Sequence, residues 1–595
     1  MGYKAPVREQ LFLLGDVLQV HGLANLPGFS ELSPELTGQV LEEAARFCEG
    51  VLEPLNAVGD REGCRYDPAA AAVATPAGFK DAYQQMVQGG WSALALEPEW
   101  GGQGLPLVLN LAFSEMSSSA NMAFAMYPGL TRGAFSTIRA FGDAAQKALY
   151  LPKLATGEWS GTMNLTEPQC GTDLSMIRTK AVKQADGSYS VTGEKIWISG
   201  GEQDLTPNIV QLVLARTEGA PEGTRGLSLF IVPKILPDAS GGLGERNAFK
   251  CAGLEEKMGI HGNATCVMAY EGAKGWLLGE ETKGLRQMFV MMNEARLGVA
   301  VQGLSQAEGA YQAAVAFARD RLQGRSLKGP QNPAGPADPI LVHPDVRRML
   351  MDSKAVLEGG RALLFFTLLQ EDIARASPDE AGRQAADDRV QLLTPVLKSF
   401  LTGRGFQVCS DALQVHGGSG YTTHFPAAQY LRDSRIAMIY EGTNGVQALD
   451  LVGRKLPANG GRAVQAFFAD IDAFAAEASD PQLQPFLDGL KAARAQLQEA
   501  TLWLLQNGVS DPENAGAASH DYLNLMALTG LAWMWAKMAR AAQARIAAGD
   551  ADPWFADKLV TGRYFLERIL PEAGAHLAKL KTGAAAMMAM PADGF

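Results

Sequence analysis

The sequence predicts a multidomain α+β chain in which a β-rich region is set between helical ones. Three observations carry this. The segments "GSYSVTGEKIWISGG", "IVQLVLART" and "LSLFIVP" are short, rich in β-branched and aromatic residues, and separated by turns. On both sides the apolar residues recur at helical spacing. A Pro/Gly stretch, "LVGRKLPANGGRA" (451–463), then separates the body from an Ala-rich helical tail.

Taken in order, residues 1–35 form an N-terminal extension, and 36–160 read as a helical domain. Its first helix, "SPELTGQVLEEAARFCEGVLEPL", opens on a Ser-Pro cap signal. "EPEWGGQGLP" (97–106) is a Gly/Pro loop. Residues 161–281 are the β-domain. From 282 to 455 the pattern is helical again, with "SPDEAGRQAADDR" (377–389) as a polar loop or helix end. Residues 464–595 read as a further helical domain.

With 47% hydrophobic and 19% charged residues, the 595-residue chain has the composition of a soluble globular protein of several domains. A net charge of −12 argues against a general nucleic-acid surface. The six cysteines lie singly, which predicts free thiols in a reducing compartment and a cytoplasmic location, without a disulfide framework or zinc site. The N-terminus lacks an apolar signal core. The most lipid-like run, "YLNLMALTGLAWMWAKMA" (522–539), is interrupted by Asn524, Thr529 and Lys537, so a buried helix is expected and no transmembrane segment.

Several short stretches have the make-up of binding sites. In "MNLTEPQCGTDLSMIRTKA" (163–181), Thr166 leads into a Glu-Pro turn followed by Gly171-Thr172-Asp173. Such a turn can direct N–H groups and a hydroxyl at a polar ring edge or a phosphate. In "GEKIWISGG", two-residue alternation puts Trp197 and Ser199 on one side of a strand, a flat ring beside a hydroxyl. Arg296 and Arg321 lie about seven helical turns apart and share a face if the helix is unbroken. Gly417, Gly418 and Gly420 permit close backbone approach. His416 has no set of metal-ligand neighbours. Finally, "MIYEGTNGVQ" (438–447) sets Glu441 between an apolar pair and a Gly-Thr turn.

Taken together and in this order, these motifs resemble the acyl-CoA dehydrogenase family. Leu165 to Asp173, Gly193 to Ser199, Gly417 to Gly420 and Tyr440 to Thr443 are similar to its four signatures. The resemblance covers about 36–455, and the tail points to the larger subgroup with an extra C-terminal helical domain. It implies an N-terminal helical domain, a middle β-barrel-like domain and a C-terminal four-helix bundle holding FAD. Met163, Leu165, Thr166, Trp197, Ser199, Arg321, Gln414, Gly417, Gly418 and Thr443 are the implied cofactor contacts. Arg321 would reach the FAD pyrophosphate of a neighbouring subunit, hence a homodimer. Thr172, Arg296, Tyr440 and Gly442 would lie on the acyl-CoA side. Glu441 resembles the base that takes the α-proton, desolvated by Ile439 and Tyr440. A hydride passes to flavin N5, giving the trans-2-enoyl-CoA, and electrons go to an electron-transfer flavoprotein. Substrates implied by the subgroup are 3-methylthiopropionyl-CoA or longer straight-chain acyl-CoAs.

Some relatives carry the base on the long helix, at the position of Ala295 here. Glu294 is one residue off and about 100° around the helix, so Glu441 is the choice. Two departures stand out: Leu322-Gln323-Gly324-Arg325 where Phe-Gly is usual, and Gly445 where Gln is common. The competing functions are an acyl-CoA oxidase using oxygen and a nucleic-acid-binding flavoprotein of the same superfamily. The tail nearly balances its Lys and Arg with Asp and Glu, which disfavours the second.

Overall fold

The computed structural model describes residues 2–238, 240–478 and 480–595. The chain divides into two compact units. One comprises Arg46–Leu105 and Ala120–Gly298; the other comprises Met1–Ala45, Pro106–Ser119 and Val299–Phe595.

The first unit holds the sheet. Its strands are β1 (Ser160–Asn164), β2 (Lys180–Lys183), β3 (Tyr189–Ser199), β4 (Ile209–Thr217), β5 (Leu227–Pro233), β6 (Phe249–Leu254) and β7 (Thr265–Leu277). Strand β7 pairs with β3, β3 with β2, β2 with β4, β4 with β5, and β5 returns to β7, so the sheet curls into a ring. Strands β1 and β6 extend it from β4 and β7. Strands β4 and β5 are almost wholly buried, matching their unbroken apolar runs. One core lies inside, with Val191, Val213, Phe230, Val232 and Tyr270. A second packs the outer faces of β4 and β5 on helices through Leu212, Leu214, Leu229, Ile231, Phe135 and Trp159.

The second unit is helical. Its helices include α1 (Val7–Phe12), α2 (Leu107–Phe141, in part), α3 (Gly284–Asp320, in part), α4 (Pro344–Ala376), α5 (Glu380–His416), α6 (Asn444–Asp450), α7 (Gln484–Asn507), α8 (Pro512–Ala547) and α9 (Pro553–Tyr564). The Ser-Pro signal is a cap: Ser33 Oγ accepts from Leu36 N at 3.1 Å. The polar stretch at 377–389 interrupts helix only at Ser377–Asp379, because the Asp379 carboxylate caps α5 at Ala381 and Gly382. Helix α3 is unbroken to Asp320, and Arg321 follows immediately.

The run at 522–539 lies within α8 and is buried on nearly all faces. Gly359 leaves space for Trp535, whose Nε1 donates to Ala355 O at 3.2 Å. Among the described residues no helix is long and apolar enough to cross a membrane. Charged groups also stitch this unit. Arg361, 2% exposed, bonds to Glu115 at 2.7 Å and Glu308 at 2.6 Å. Lys558 on α9 pairs with Glu9 on α1 and Glu358 on α4 at 2.5 and 2.8 Å. The N-terminal segment and the tail are thereby fixed to the same central helices. Removing one partner of such a pair strands a buried charge and costs about 3–5 kcal/mol.

Candidate active site

Within the β unit, the predicted residues gather at the ends of β1 and β3. Met163, near the end of β1, is half-buried, Leu165 is buried, and Thr166 is half-buried. Glu167 and Cys170 then exchange backbone bonds at 2.9 and 3.0 Å, folding 166–171 into a tight turn that brings Gly171 against the Thr166 methyl. Thr172, just after this turn, is exposed.

Strand β3 is not regular. Ile198 faces Cys266 and Lys195 faces Met268, so Ile196 and Trp197 together oppose Val267 in a bulge. Trp197 takes a left-handed backbone, φ 62°. Without the bulge, Trp197 would follow Val191 and Lys195 onto the buried face. With it, Ile198 turns inward and Trp197 outward, where the indole is 55% exposed. Trp197 and Ser199 share one side, as expected, but it is the bulge that makes that side the less buried one. A large exposed indole on a strained residue marks a place where a flat ligand can stack.

The turn and the bulge are locked together by a pair that sequence reasoning passed over. Lys195 is fully buried; its Nζ donates to Leu165 O and to the Glu167 carboxylate, both at 2.9 Å. Glu167 also accepts from the N–H groups of Arg178 and Thr179 and from the Thr179 hydroxyl. Burial raises the Glu167 carboxyl, but Lys195 and these donors outweigh it and bring it down to about 2. Ile196 N–H adds a bond to Thr166 O at 3.0 Å. Gly193 is required because a Cβ would stand 2.4 Å from the Thr179 hydroxyl. The Glu-Pro and Gly-x-Lys letters, thirty residues apart, were the available signal.

Arg296, in this unit, is buried, whereas Arg321, which follows α3 in the helical unit, is exposed. The unusual segment after Arg321 folds around Asp338. This buried carboxylate accepts from the N–H groups of Ser326, Gln331 and Asn332 and from Arg325. Burial raises its carboxyl, and these donors prevail to bring it to about 2.

Within the helical unit, α5 ends at His416 with Gly417 in left-handed conformation, φ 59°, its N–H bonded to Gln414 O. Around Gly417 and Gly418 nothing lies within 4 Å of a built Cβ, whereas Gly420 is pressed against Leu413 and His416. The first two glycines therefore present bare backbone; the third serves packing. His416 Nδ1 bonds to Ala412 O, and its ring lies 4.5 Å from Phe317.

Glu441 is also left-handed, φ 56°, and Gly442 follows at φ 79°. The Gln447 amide donates to Glu441 O at 3.0 Å, and a Cβ on Gly442 would meet that amide at 2.6 Å. Close approach of Gln447, on this chain, is thus a sufficient reason for Gly442. Lys398 on α5, fully buried, donates to Gly442 O at 2.7 Å and Asn444 Oδ1 at 3.1 Å. The Thr443 hydroxyl caps α6, accepting from Val446 N at 3.2 Å. Tyr440 donates its hydroxyl to Gln302. Ile439 is 49% exposed, so in this chain only Tyr440 of the apolar pair is shielded.

Comparison with known proteins agrees along the whole chain. Residues 35–158, 162–273 and 282–456 match the N-terminal, middle and C-terminal domain models of acyl-CoA dehydrogenases, and 467–591 match a model described as acetyl-CoA dehydrogenase C-terminal like. The chain is 44% identical to the 3-methylmercaptopropionyl-CoA dehydrogenase of Ruegeria pomeroyi, covering 98% of each protein. It is 34% identical to a broad-specificity linear acyl-CoA dehydrogenase of Mycobacterium tuberculosis, covering 96% of each. Its fold is that of a Bacillus anthracis acyl-CoA dehydrogenase solved as a complex with FAD, with TM-score 0.74, 21% identity, and coverage of 93% of this chain and 88% of that one. The chain belongs to the acyl-CoA dehydrogenase family, a family of oxidoreductases, and carries that family's three domains with an added helical C-terminal region.

Proposed function

We propose that the protein binds FAD and dehydrogenates an acyl-CoA thioester to the trans-2-enoyl-CoA, with 3-methylmercaptopropionyl-CoA or a linear acyl-CoA as substrate. The observation that carries the substrate reading is the similarity to the Ruegeria pomeroyi enzyme over almost the full length of both chains. FAD supplies the acceptor for the two electrons and the β-hydrogen when bound. Its ring would be held by the Trp197 indole with Met163, Leu165 and the hydroxyls of Thr166 and Ser199. The bare backbone at Gly417 and Gly418, with Gln414 and Thr443, suits its polar parts, and Arg321 would reach the FAD pyrophosphate of a neighbouring subunit. The exposed indole suits a planar ring, and the two glycines with open space suit a polar group that approaches backbone closely.

The chain's own chemistry is proton removal. The α-proton of a thioester is weakly acidic, so the base must be held close and the developing enolate stabilised. Glu441 takes the proton through its carboxylate, and its backbone N–H is offered to the thioester oxygen. Thr172, Arg296, Tyr440 and Gly442 serve the acyl-CoA side. An electron-transfer flavoprotein receives the electrons, and the enzyme works as a homodimer whose tail packs on its own subunit.

Anaerobic addition of a panel of acyl-CoAs to the purified flavoprotein tests this. Bleaching of the flavin band by 3-methylmercaptopropionyl-CoA or by a linear acyl-CoA is the expected result. No bleaching by any saturated acyl-CoA would overturn the reading, and rapid reoxidation by oxygen would make it an oxidase.

A further inference from the structure

We propose that Lys398 is a positioning residue for the reaction, holding from the middle of α5 the backbone turn on which Glu441 is carried. The inference rests on the reading of Glu441 as the base.

Glu441 sits in the left-handed region, which a residue with a Cβ avoids unless its surroundings hold it there. The carbonyls of this turn are captured from two sides. Gln447, from the first turns of α6, donates to Glu441 O at 3.0 Å. Lys398, from another helix, donates to Gly442 O at 2.7 Å. The same ammonium bonds to Asn444 Oδ1, which also accepts from Thr402, while the Asn444 amide returns a bond to Ser399 O at 3.1 Å. Lys398 therefore ties α5 to residues 442 and 444 at once. Without it, the peptide after Glu441 can rotate, and the carboxylate leaves its direction.

The residue type supports a specific role. Lys398 is fully buried, and taking an ammonium out of water is costly. A Met or Leu would fill a similar volume without that cost. What only a long cationic donor supplies is a strong, charge-assisted bond to the carbonyl of the residue after Glu441.

The test uses the full-length holoenzyme carrying Lys398→Met. Three readouts are expected together. The rate of flavin reduction at saturating acyl-CoA falls at least tenfold. The acyl-CoA dissociation constant, compared by calorimetry in Glu441→Gln and Glu441→Gln/Lys398→Met proteins, stays within about twofold. Hydrogen exchange of backbone amides quickens at 440–446 and not along α4. Lys398→Arg, which keeps charge and donors, recovers part of the rate.

A wild-type rate in Lys398→Met overturns the proposal. So does a lost rate with exchange quickened throughout the helical unit and no recovery in Lys398→Arg, because that is general unfolding. If Lys398→Met does not fold, Asn444→Ala decides: a reduced rate with local quickening at 440–446 supports the proposal, and no change in either refutes it. Failure of the base assignment is separate: it appears as a Glu441→Gln enzyme that still reduces its flavin.

Discussion

Trp197 in the β unit and Glu441 in the helical unit are held alike and yet differently. Each is a large residue in left-handed backbone, and each has a fully buried lysine behind it. In the β unit Lys195 meets a carboxylate, Glu167, and the pair clamps the bulge to the preceding turn. In the helical unit Lys398 donates to the oxygens of Gly442 and Asn444, across from α5 to the turn after Glu441. The first arrangement cancels charge locally and serves rigidity, presenting a flat ring. The second brings an ammonium beneath the turn that carries an acidic residue, where direction is what matters. Buried charges of the same kind thus perform two tasks, set by what they face.

The largest expected effect separates these tasks. Glu441→Gln should retain FAD and bind acyl-CoA, yet lose substrate-driven flavin bleaching by roughly 10²–10⁴-fold or more, read by stopped-flow absorbance. Rapid bleaching would remove Glu441 from the chemistry, and with it the contrast.

Next comes the clamp. Lys195→Met strands the Glu167 carboxylate and should cost about 3–5 kcal/mol in denaturant unfolding, whereas Lys195→Met with Glu167→Leu should recover much of it. The pH dependence has a definite sign. The Glu167 carboxyl is depressed from 4.5 to about 2, so its contribution is complete above the ordinary carboxylate range. It is lost as pH falls from about 4.5 through about 2. Lys195→Met should flatten stability across that interval. An unchanged acid profile would mean that the pair contributes no net stability.

The smallest effect probes backbone strain. Trp197→Gly and Glu441→Gly should each gain about 1 kcal/mol in unfolding free energy, since glycine adopts left-handed backbone without a Cβ clash. A loss at either position would show that the side chain repays its strain through contacts.

Much was legible from the letters alone. The helical–β–helical–helical order follows from the period of the apolar residues, and that pattern needs only neighbours along the chain. The Ser33 cap and the burial of the 522–539 run were readable on the same local grounds, whereas the outward position of Trp197 depends on the bulge. Signature letters located the Glu441 turn. One local reading shifted in the structure. The polar stretch after Ala376 breaks helix for only three residues, since Asp379 caps the next helix.

What the letters determined, then, were periodicity, caps and turns, because these arise from steric preferences and bonds within a few residues. The tertiary structure alone decided which distant groups meet. Lys195 finds Glu167, Asp338 gathers the loop after Arg321, and Lys398 reaches from α5 to the carbonyl beside Glu441. No local periodicity encodes those meetings. They arise because a buried charge must find its partners wherever packing brings them, and packing is a property of the whole chain.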